Sequence, residues 1–296
     1  MLKGITKVKR MVKLLLVNTR ELFKQGQMKG FAIPATNFID LDSARSYVEV
    51  AEERGLPLIL AFAQSHKDII SLEEAAIIGK YFAEKATVPI ALHLDHGADK
   101  EYIFKAIELG FKSVMIDASE ESFEDNVKVS KEVVDHAHNF DVTVEAELGH
   151  VGANDTSESA TVTDSIYTEV KDVIQFVEET GVDSLAVSIG TAHGVYKGEP
   201  KLSFDRLEEI NNMTSVPLVL HGGSSTGDAN LNRCATSGIV KINIYSDFIN
   251  GAAKAINEKP TEDYVQMKKT ANKRMKEVLN HYYDVFNTKT IDTLEV

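Results

Sequence analysis

The sequence predicts a single α/β domain, a (β/α)₈ TIM barrel with a C-terminal helical extension, and three observations predict it. Short apolar runs rich in Val, Ile and Ala recur at regular intervals. Amphipathic stretches with helical spacing lie between them. Polar side chains and glycines gather where the runs end. Strands buried on both faces read as unbroken apolar runs, because helices cover one side and the barrel interior fills the other. An open doubly wound sheet is the architectural alternative.

In chain order the runs are Phe31-Ala32-Ile33, Leu58-Ile59-Leu60, Ile90-Ala91-Leu92, Val114-Met115-Ile116, Val142 to Glu147, Leu185-Ala186-Val187, Leu218-Val219-Leu220 and Ile242-Asn243-Ile244. Leu72 to Ala86, Lys100 to Leu109 and Asp172 to Glu179 show helical periodicity between them, each ending near a glycine or turn. Alternation of β and α with right-handed crossovers closes such a series into a parallel barrel. The longest aperiodic stretch, Gly149 to Thr168, follows the fifth strand and is rich in Ser, Thr, Asp and Gly, a candidate lid. Beyond the eighth strand a charged helical tail, Glu262 to Tyr282, is expected to cap the barrel bottom or pack on a second subunit. Residues 1–11 form a basic N-terminal extension, and 12–296 are one barrel domain that includes the tail.

The formal charge of -13 disfavours a nucleic-acid partner, so any phosphate must be held by short-range devices such as helix N-termini, backbone N–H groups and a lysine or two. The lone Cys234 excludes an intrachain disulfide and fits a reducing compartment. The apolar run Leu14 to Val17 is too short for a signal peptide and has no small-residue cleavage site after it, and no window reaches a membrane span. These features predict a cytoplasmic protein without a membrane partner.

Barrel active sites form where strands run out. The third strand ends His93-Leu94-Asp95-His96-Gly97, the sixth Gly190-Thr191-Ala192-His193-Gly194, and the seventh Leu220-His221-Gly222-Gly223. Strand alternation separates Asp95 from His96, but twist and the turn at a strand end let both reach the mouth. Three histidines from three strand ends suit Zn²⁺ or Co²⁺, with one coordination position left for water or substrate. His66, His136, His138, His150 and His281 are expected not to be ligands. Gly194 to Gly198, which includes Lys197, Gly222-Gly223-Ser224 and Asn243 to Ser246 form a candidate phosphate cradle, since glycine lets backbone N–H groups approach an anion. Glu145 and Glu147 share a strand face, where two buried like charges need a cation or donor between them. A supporting or alternate metal-binding role is preferred there over a plain salt bridge.

Asn37, His93-Leu94-Asp95-His96, Val144 to Gly149, Thr191 to Gly198, His221 to Ser224 and Lys241-Ile242-Asn243 resemble, in order, the class II fructose-bisphosphate and tagatose-bisphosphate aldolases, over about Val12 to Glu258. The resemblance implies a carbohydrate-metabolism lyase of the glycolytic type, reversibly cleaving a ketose phosphate to dihydroxyacetone phosphate and an aldehyde through an enediolate. It implies one Zn²⁺ per subunit on His96, His193 and His221, a monovalent cation as a further candidate, and Asp95 as the group that takes and returns the hydroxyl proton. It further implies that Asn37, Gly194, Lys197, Gly222, Gly223, Ser224, Asn243 and Ser246 bind substrate or its phosphate, and that the protein is a homodimer or homotetramer.

Three positions depart from the family pattern. The usual loop glutamate that exchanges a proton at carbon three aligns with Asp155, with Glu158 as the fallback. Tyr245 stands where an aspartate is common, and Ala63 where a serine or threonine is common. Both face the aldehyde half, which argues for a ketose whose far end differs from fructose 1,6-bisphosphate, including one without the distal phosphate. Ser65, His66 and Lys67 are candidate replacements there. Two alternatives stand beside this reading: a metal-dependent barrel hydrolase, which would want paired histidines at the first strand where only Asn37 occurs, and a non-catalytic aldolase-like subunit.

Overall fold

The computed structural model describes residues 15–153, 167–194 and 200–292. Ten strands are β1 (Ile33–Asn37), β2 (Leu58–Ala63), β3 (Ile90–Gly97), β4 (Ser113–Ile116), β5 (Thr143–Leu148), β6 (Gly152–Ala153), β7 (Ser184–Val187), β8 (Ala192–His193), β9 (Leu218–Leu220) and β10 (Ile239–Ile244). Ten α-helices are α1 (Arg20–Lys29), α2 (Leu41–Arg54), α3 (Leu72–Ala83), α4 (Lys100–Leu109), α5 (Phe123–Ala137), α6 (Val170–Thr180), α7 (Phe204–Met213), α8 (Asp228–Thr236), α9 (Ser246–Glu258) and α10 (Tyr264–Val285). Eight of the strands close a barrel in the order β1-β10-β9-β7-β5-β4-β3-β2, every pairing parallel, while β6 and β8 form a separate two-stranded ladder. The closed barrel is the predicted fold, and it excludes the open sheet.

Local chemistry sets the helix starts. Ser71 and Glu74 form a reciprocal capping box at α3, and Asp99 accepts from the Glu101 N–H at α4, so orphan donors of the first turn find partners. The apolar faces of the helices pack against the outward residues of the strands in one continuous core that includes Leu58, Leu60, Leu92, Val114, Leu185 and Ile242.

Inside the barrel the lining changes with height. At the bottom, Ile33, Ala35, Ile59, Ala91 and Val240 pack against Leu22, Phe23 and Phe31. Burial of Leu22 and Phe23, almost complete in each case, stabilises this plug by roughly 2 kcal/mol per side chain. The bottom is therefore closed by α1, a helix the sequence reading did not anticipate because its stretch is mostly polar. The tail helix α10 lies instead in the outer layer, packed on α9 and α2. Only the end of the tail reaches the base, where Ala32 N–H donates to the Phe286 carbonyl at 3.1 Å. The apolar run before α1 also has a structural use, since the Val17 N–H donates to the Ile90 carbonyl and the Ile90 N–H to the Leu15 carbonyl, a parallel bridge beside the start of β3. Higher in the barrel the lining is charged: His93, Asp95, Glu145, Glu147 and Lys241 are all buried there.

Candidate active site

Asp95 and His96 both reach the mouth because β3 contains a bulge. Leu94 faces Val114 and Gly97 faces Ile116, so β3 carries one more residue than β4 across this interval. His96 absorbs it with a left-handed backbone, φ 46°, a conformation that costs a non-glycine residue about 1–2 kcal/mol. His96 Nδ1 lies 2.8 Å from Asp117 Oδ2, and that charge-assisted bond holds the ring in place.

His221 follows β9 directly, as expected. His193 does not sit at a barrel strand end: β7 stops at Val187, and His193 is carried by β8, where it pairs with Ala153 of β6. The expectation that the sixth strand runs on to His193 is corrected. The intervening Ser188-Ile189-Gly190-Thr191 leaves the ladder, and the imidazole is delivered from a second layer above the mouth.

One nitrogen from each of His96, His193 and His221 falls within a common 4.8 Å sphere of separation. The ring centroids are 4.5 Å apart for His96 and His221, 4.8 Å for His96 and His193, and 5.9 Å for His193 and His221. With Nδ1 of His96 bonded to Asp117, its Nε2 is buried with no hydrogen-bond partner among the described residues. His221 reverses the arrangement. Its Nε2 pairs with Glu145 Oε1 at 2.9 Å, while its Nδ1 and Glu147 Oε2, 3.4 Å apart, lack hydrogen-bond partners among the described residues. Buried polar atoms left unmatched are costly, and two imidazole nitrogens and a carboxylate oxygen converging on one place fit a divalent cation that prefers nitrogen and oxygen.

The electrostatics agree. Burial pushes His96 down, but the Asp95 and Asp117 carboxylates overcome it and raise its pKa to about 10. Burial together with the His96 charge lowers His221 to about 4. Glu145 is desolvated, yet the Lys241 ammonium 2.8 Å away and His221 bring it down to about 2. Glu147 goes the other way: burial and Asp117 raise it well above the usual carboxylate range. The two glutamates thus divide, Glu145 in an ion pair with Lys241 that also orients His221, and Glu147 turned toward His96 and His221.

Asp95 is fully buried, and burial alone would raise it. The His96 charge, a side-chain interaction with His93 and the Lys241 ammonium together hold it well below its ordinary value. Asn37 Nδ2 donates to one of its oxygens and Asn243 Nδ2 to the other, each at 2.9 Å. These asparagines were expected in the substrate and phosphate cradle. The structure brings them to the Asp95 carboxylate, because β1 and β10 are neighbours and both point these side chains inward.

The cradle itself forms from Gly222, Gly223 and Ser224 with the start of α9, where Ser246 is buried. Gly223 N–H donates to the Asn243 carbonyl at 3.1 Å, and Ser224 Oγ accepts from Tyr245 N–H at 3.1 Å, tying the loop after β9 to the helix. Gly194 is buried beside His193 with φ 85°. Asp155, Glu158, Lys197 and the extension 1–11 lie outside the described residues. At the far end, the buried rings of His66 and Tyr245 pack with centroids 4.6 Å apart, and Ala63 pairs with Asp95 across the β2–β3 ladder.

Sequence reasoning missed Asp117 and Lys241 as members of the site. Asp117 had a readable signal, an acid directly after the apolar fourth strand, where a barrel mouth lies. Lys241 had another, a lone cation inside Ile239-Val240-Lys241-Ile242.

The model of the fructose-bisphosphate aldolase class-II family matches residues 17–290. The Escherichia coli K12 protein YdjI is 37% identical over 263 residues, covering 89% of this chain and 94% of that protein. The crystal structure of the YdjI aldolase superposes with a TM-score of 0.84 at 34% identity, over 92% of this chain and 98% of that one. A Coccidioides immitis structure, described as a candidate fructose-1,6-bisphosphate aldolase, gives a TM-score of 0.81 at 26% identity, covering 90% and 94%. The fructose-bisphosphate aldolase of Campylobacter jejuni, at 23% identity over 94% and 97%, shares the fold with a TM-score of 0.77. Together with the closed parallel barrel and the histidine cluster at its mouth, the family match over nearly the whole chain establishes that this protein belongs to the class II fructose-bisphosphate aldolases.

Proposed function

We propose that the protein reversibly cleaves a ketose 1-phosphate or ketose bisphosphate into dihydroxyacetone phosphate and an aldehyde, and depends on a divalent metal, Zn²⁺, to do so. One observation carries this reading. Three imidazoles with converging nitrogens stand beside a buried carboxylate that two asparagines orient. His96, His193 and His221 would hold the ion, with Glu147 as an additional oxygen donor. Bound there, it supplies Lewis-acid polarisation of the substrate carbonyl, where negative charge develops.

Asp95 is ionised at neutral pH and so accepts the proton of the hydroxyl on the carbon that becomes the aldehyde. As that proton leaves, the new C=O forms, the adjacent carbon–carbon bond breaks, and its electron pair passes to the three-carbon phosphate half as an enediolate. Condensation runs the same steps backward and Asp95 returns the proton. Asn37 and Asn243 keep both carboxylate oxygens from rotating away. The backbone of Gly222 to Ser224 and the N-terminus of α9, with Ser246, provide the partial positive charge for the phosphate, and the same role is assigned to Gly194 and Lys197. Asp155 is assigned the second proton exchange, at carbon three.

The far end of the pocket favours an aldehyde without a phosphate. Ala63 offers a methyl group, and the His66–Tyr245 pair offers ring surface where a charged group would lose its water. The same reading takes the protein as a cytoplasmic homodimer or homotetramer whose partner is a phosphorylated sugar and not nucleic acid or membrane. Among the described residues no helix is long and apolar enough to cross a membrane.

The test is condensation of dihydroxyacetone phosphate with a panel of phosphorylated and unphosphorylated aldehydes, read by product mass. We expect adducts with the unphosphorylated members, none after chelation, and none from Asp95→Ala although that variant keeps its metal. Full activity after chelation, or a lysine adduct trapped by borohydride, refutes the mechanism.

A further inference from the structure

Asp117 does more than touch His96. Its second oxygen, Oδ1, accepts from Ser119 Oγ at 2.8 Å and from the Ser119 N–H at 3.2 Å. Ser119 Oγ is also 3.1 Å from His150 Nδ1, and His150 Nε2 faces Glu120 Oε1 at 3.5 Å. His150 belongs to the segment leaving β5, far from Ser119 in sequence, and the next residue is anchored: Val151 N–H donates to Glu147 Oε1 at 2.9 Å.

The direction of the hydrogen bonds follows from counting protons. Asp117 spends one oxygen on His96 Nδ1 and the other on the Ser119 N–H and hydroxyl, so both of its oxygens accept. Ser119 has one hydroxyl proton, and with Asp117 Oδ1 only 2.8 Å away the structure gives that proton to Asp117, although the Glu147 carboxylate also lies beside it. Ser119 Oγ can then only accept from His150, which fixes the proton of His150 on Nδ1. At the other end His96 donates from Nδ1 to Asp117, which leaves its Nε2 as the ring atom that faces the metal position.

We infer that Ser119 and His150 are positioning residues for metal capture, acting in series through Asp117 to hold His96 in the ring orientation and tautomer that a metal requires. The inference rests on the metal-dependent reading above. A carboxylate that orients a metal-bound histidine does so only if its own rotation is stopped. Here the Ser119 hydroxyl stops it, and the His150 N–H stops the hydroxyl from turning elsewhere. This assigns a use to a histidine that the sequence reading set aside as a non-ligand, at the third remove from the metal position.

The experiment measures zinc affinity of the purified protein by competition with a chromophoric chelator, together with the absorption spectrum of the Co²⁺-substituted form. Ser119→Ala is expected to weaken zinc binding on the order of 10-fold, the lower end for partners that orient metal ligands, and His150→Ala by several-fold. His150→Asn, whose amide can donate from nearly the same place, is expected to recover wild-type affinity and the wild-type Co²⁺ spectrum. Because the contacts act in series, the double variant Ser119→Ala/His150→Ala should bind no more weakly than Ser119→Ala alone. Losses that add, or His150→Ala with wild-type zinc affinity, overturn the inference while leaving the metal-dependent reading intact. A wild-type protein that takes up no zinc overturns both.

Discussion

Substituting Gly222 by alanine tests whether the site depends on the contact between its two layers. Gly222 follows the ligand His221 and has φ 66°, which costs an L side chain about 1–2 kcal/mol. The added methyl meets a second obstacle: its ideal position is 2.5 Å from the Ala192 carbonyl oxygen and 2.7 Å from the Ala192 carbonyl carbon, where ordinary contact begins near 3.4 Å. Relief requires almost 1 Å of movement between the loop after β9 and β8. Those two pieces of chain carry His221 and His193, so the movement comes straight out of the distance between two metal ligands. A 1 Å misplacement costs about 100-fold in rate where geometry is tight. We expect Gly222→Ala to lose about 100-fold in kcat/KM for retro-aldol cleavage, measured by coupled reduction of dihydroxyacetone phosphate, and to bind zinc at least 10-fold more weakly. Gly227→Ala is the control, with φ 91° and nothing within 4 Å of the added methyl. Its backbone, φ 91° and ψ 136°, is at least as unfavourable for an L side chain, read as a loss of about 1–3 kcal/mol in urea unfolding, and it leaves the ligands where they are. If Gly222→Ala binds zinc and cleaves substrate as well as Gly227→Ala, the two-layer account of the site is wrong.

Two further outcomes follow from the buried charges. Lys241→Met removes the cation that pairs with Glu145 and strands that carboxylate in the barrel interior, so urea unfolding should show a loss of about 3–5 kcal/mol; the double variant Lys241→Met/Glu145→Gln should regain much of it, and a harmless single substitution would refute the pairing. Zinc needs a neutral imidazole, whereas His96 in the metal-free protein holds its proton up to about pH 10, so apparent zinc affinity should rise at least tenfold per pH unit between pH 6 and about pH 8. A competition titration that is flat over that range contradicts the assignment. In the metal-free protein the same raised value contributes stability that is complete below about pH 6.5 and disappears as the pH climbs through about 10.

The eight barrel strands were legible because burial on both faces leaves an unbroken apolar signature, and His96 and His221 were legible because each adjoins such a run. His193 was found for a partly mistaken reason. The residue type and its glycine neighbours were informative, but the two-residue ladder that carries it is too short to leave any period in sequence. Helix α1 was hidden by a similar limit: of its residues only Leu22 and Phe23 are large, apolar and buried, and two adjacent buried side chains in a polar decapeptide do not make a pattern. Asn37 and Asn243 were recognised as site residues, but their bonds to the Asp95 carboxylate were not foreseen. Which of two nearby acceptors an amide chooses depends on the distance between β1, β3 and β10 at the mouth, and a linear sequence does not contain that distance.

The charge count at the mouth explains why these pieces belong together. Asp95, Glu145 and Glu147 are buried carboxylates with the half-buried Asp117 beside them, and the only permanent cation among the described residues that pairs with any of the four is Lys241, on Asp95 and Glu145. In the metal-free protein the deficit is met by protons: His96 keeps one to high pH, and Glu147 keeps another because burial and Asp117 hold its carboxyl up. A divalent ion at the three histidines replaces two positive charges with two, and in doing so frees the Nε2 of His96 and the carboxylate of Glu147 as donors. The uncharged form of His221, held low by burial and by the His96 charge, is ready without any such exchange. The site is therefore poised between two protons and one dication, and that balance, more than any single ligand, ties the metal to the proton chemistry of Asp95: the cationic charge that keeps Asp95 ionised is present whether His96 holds a proton or an ion.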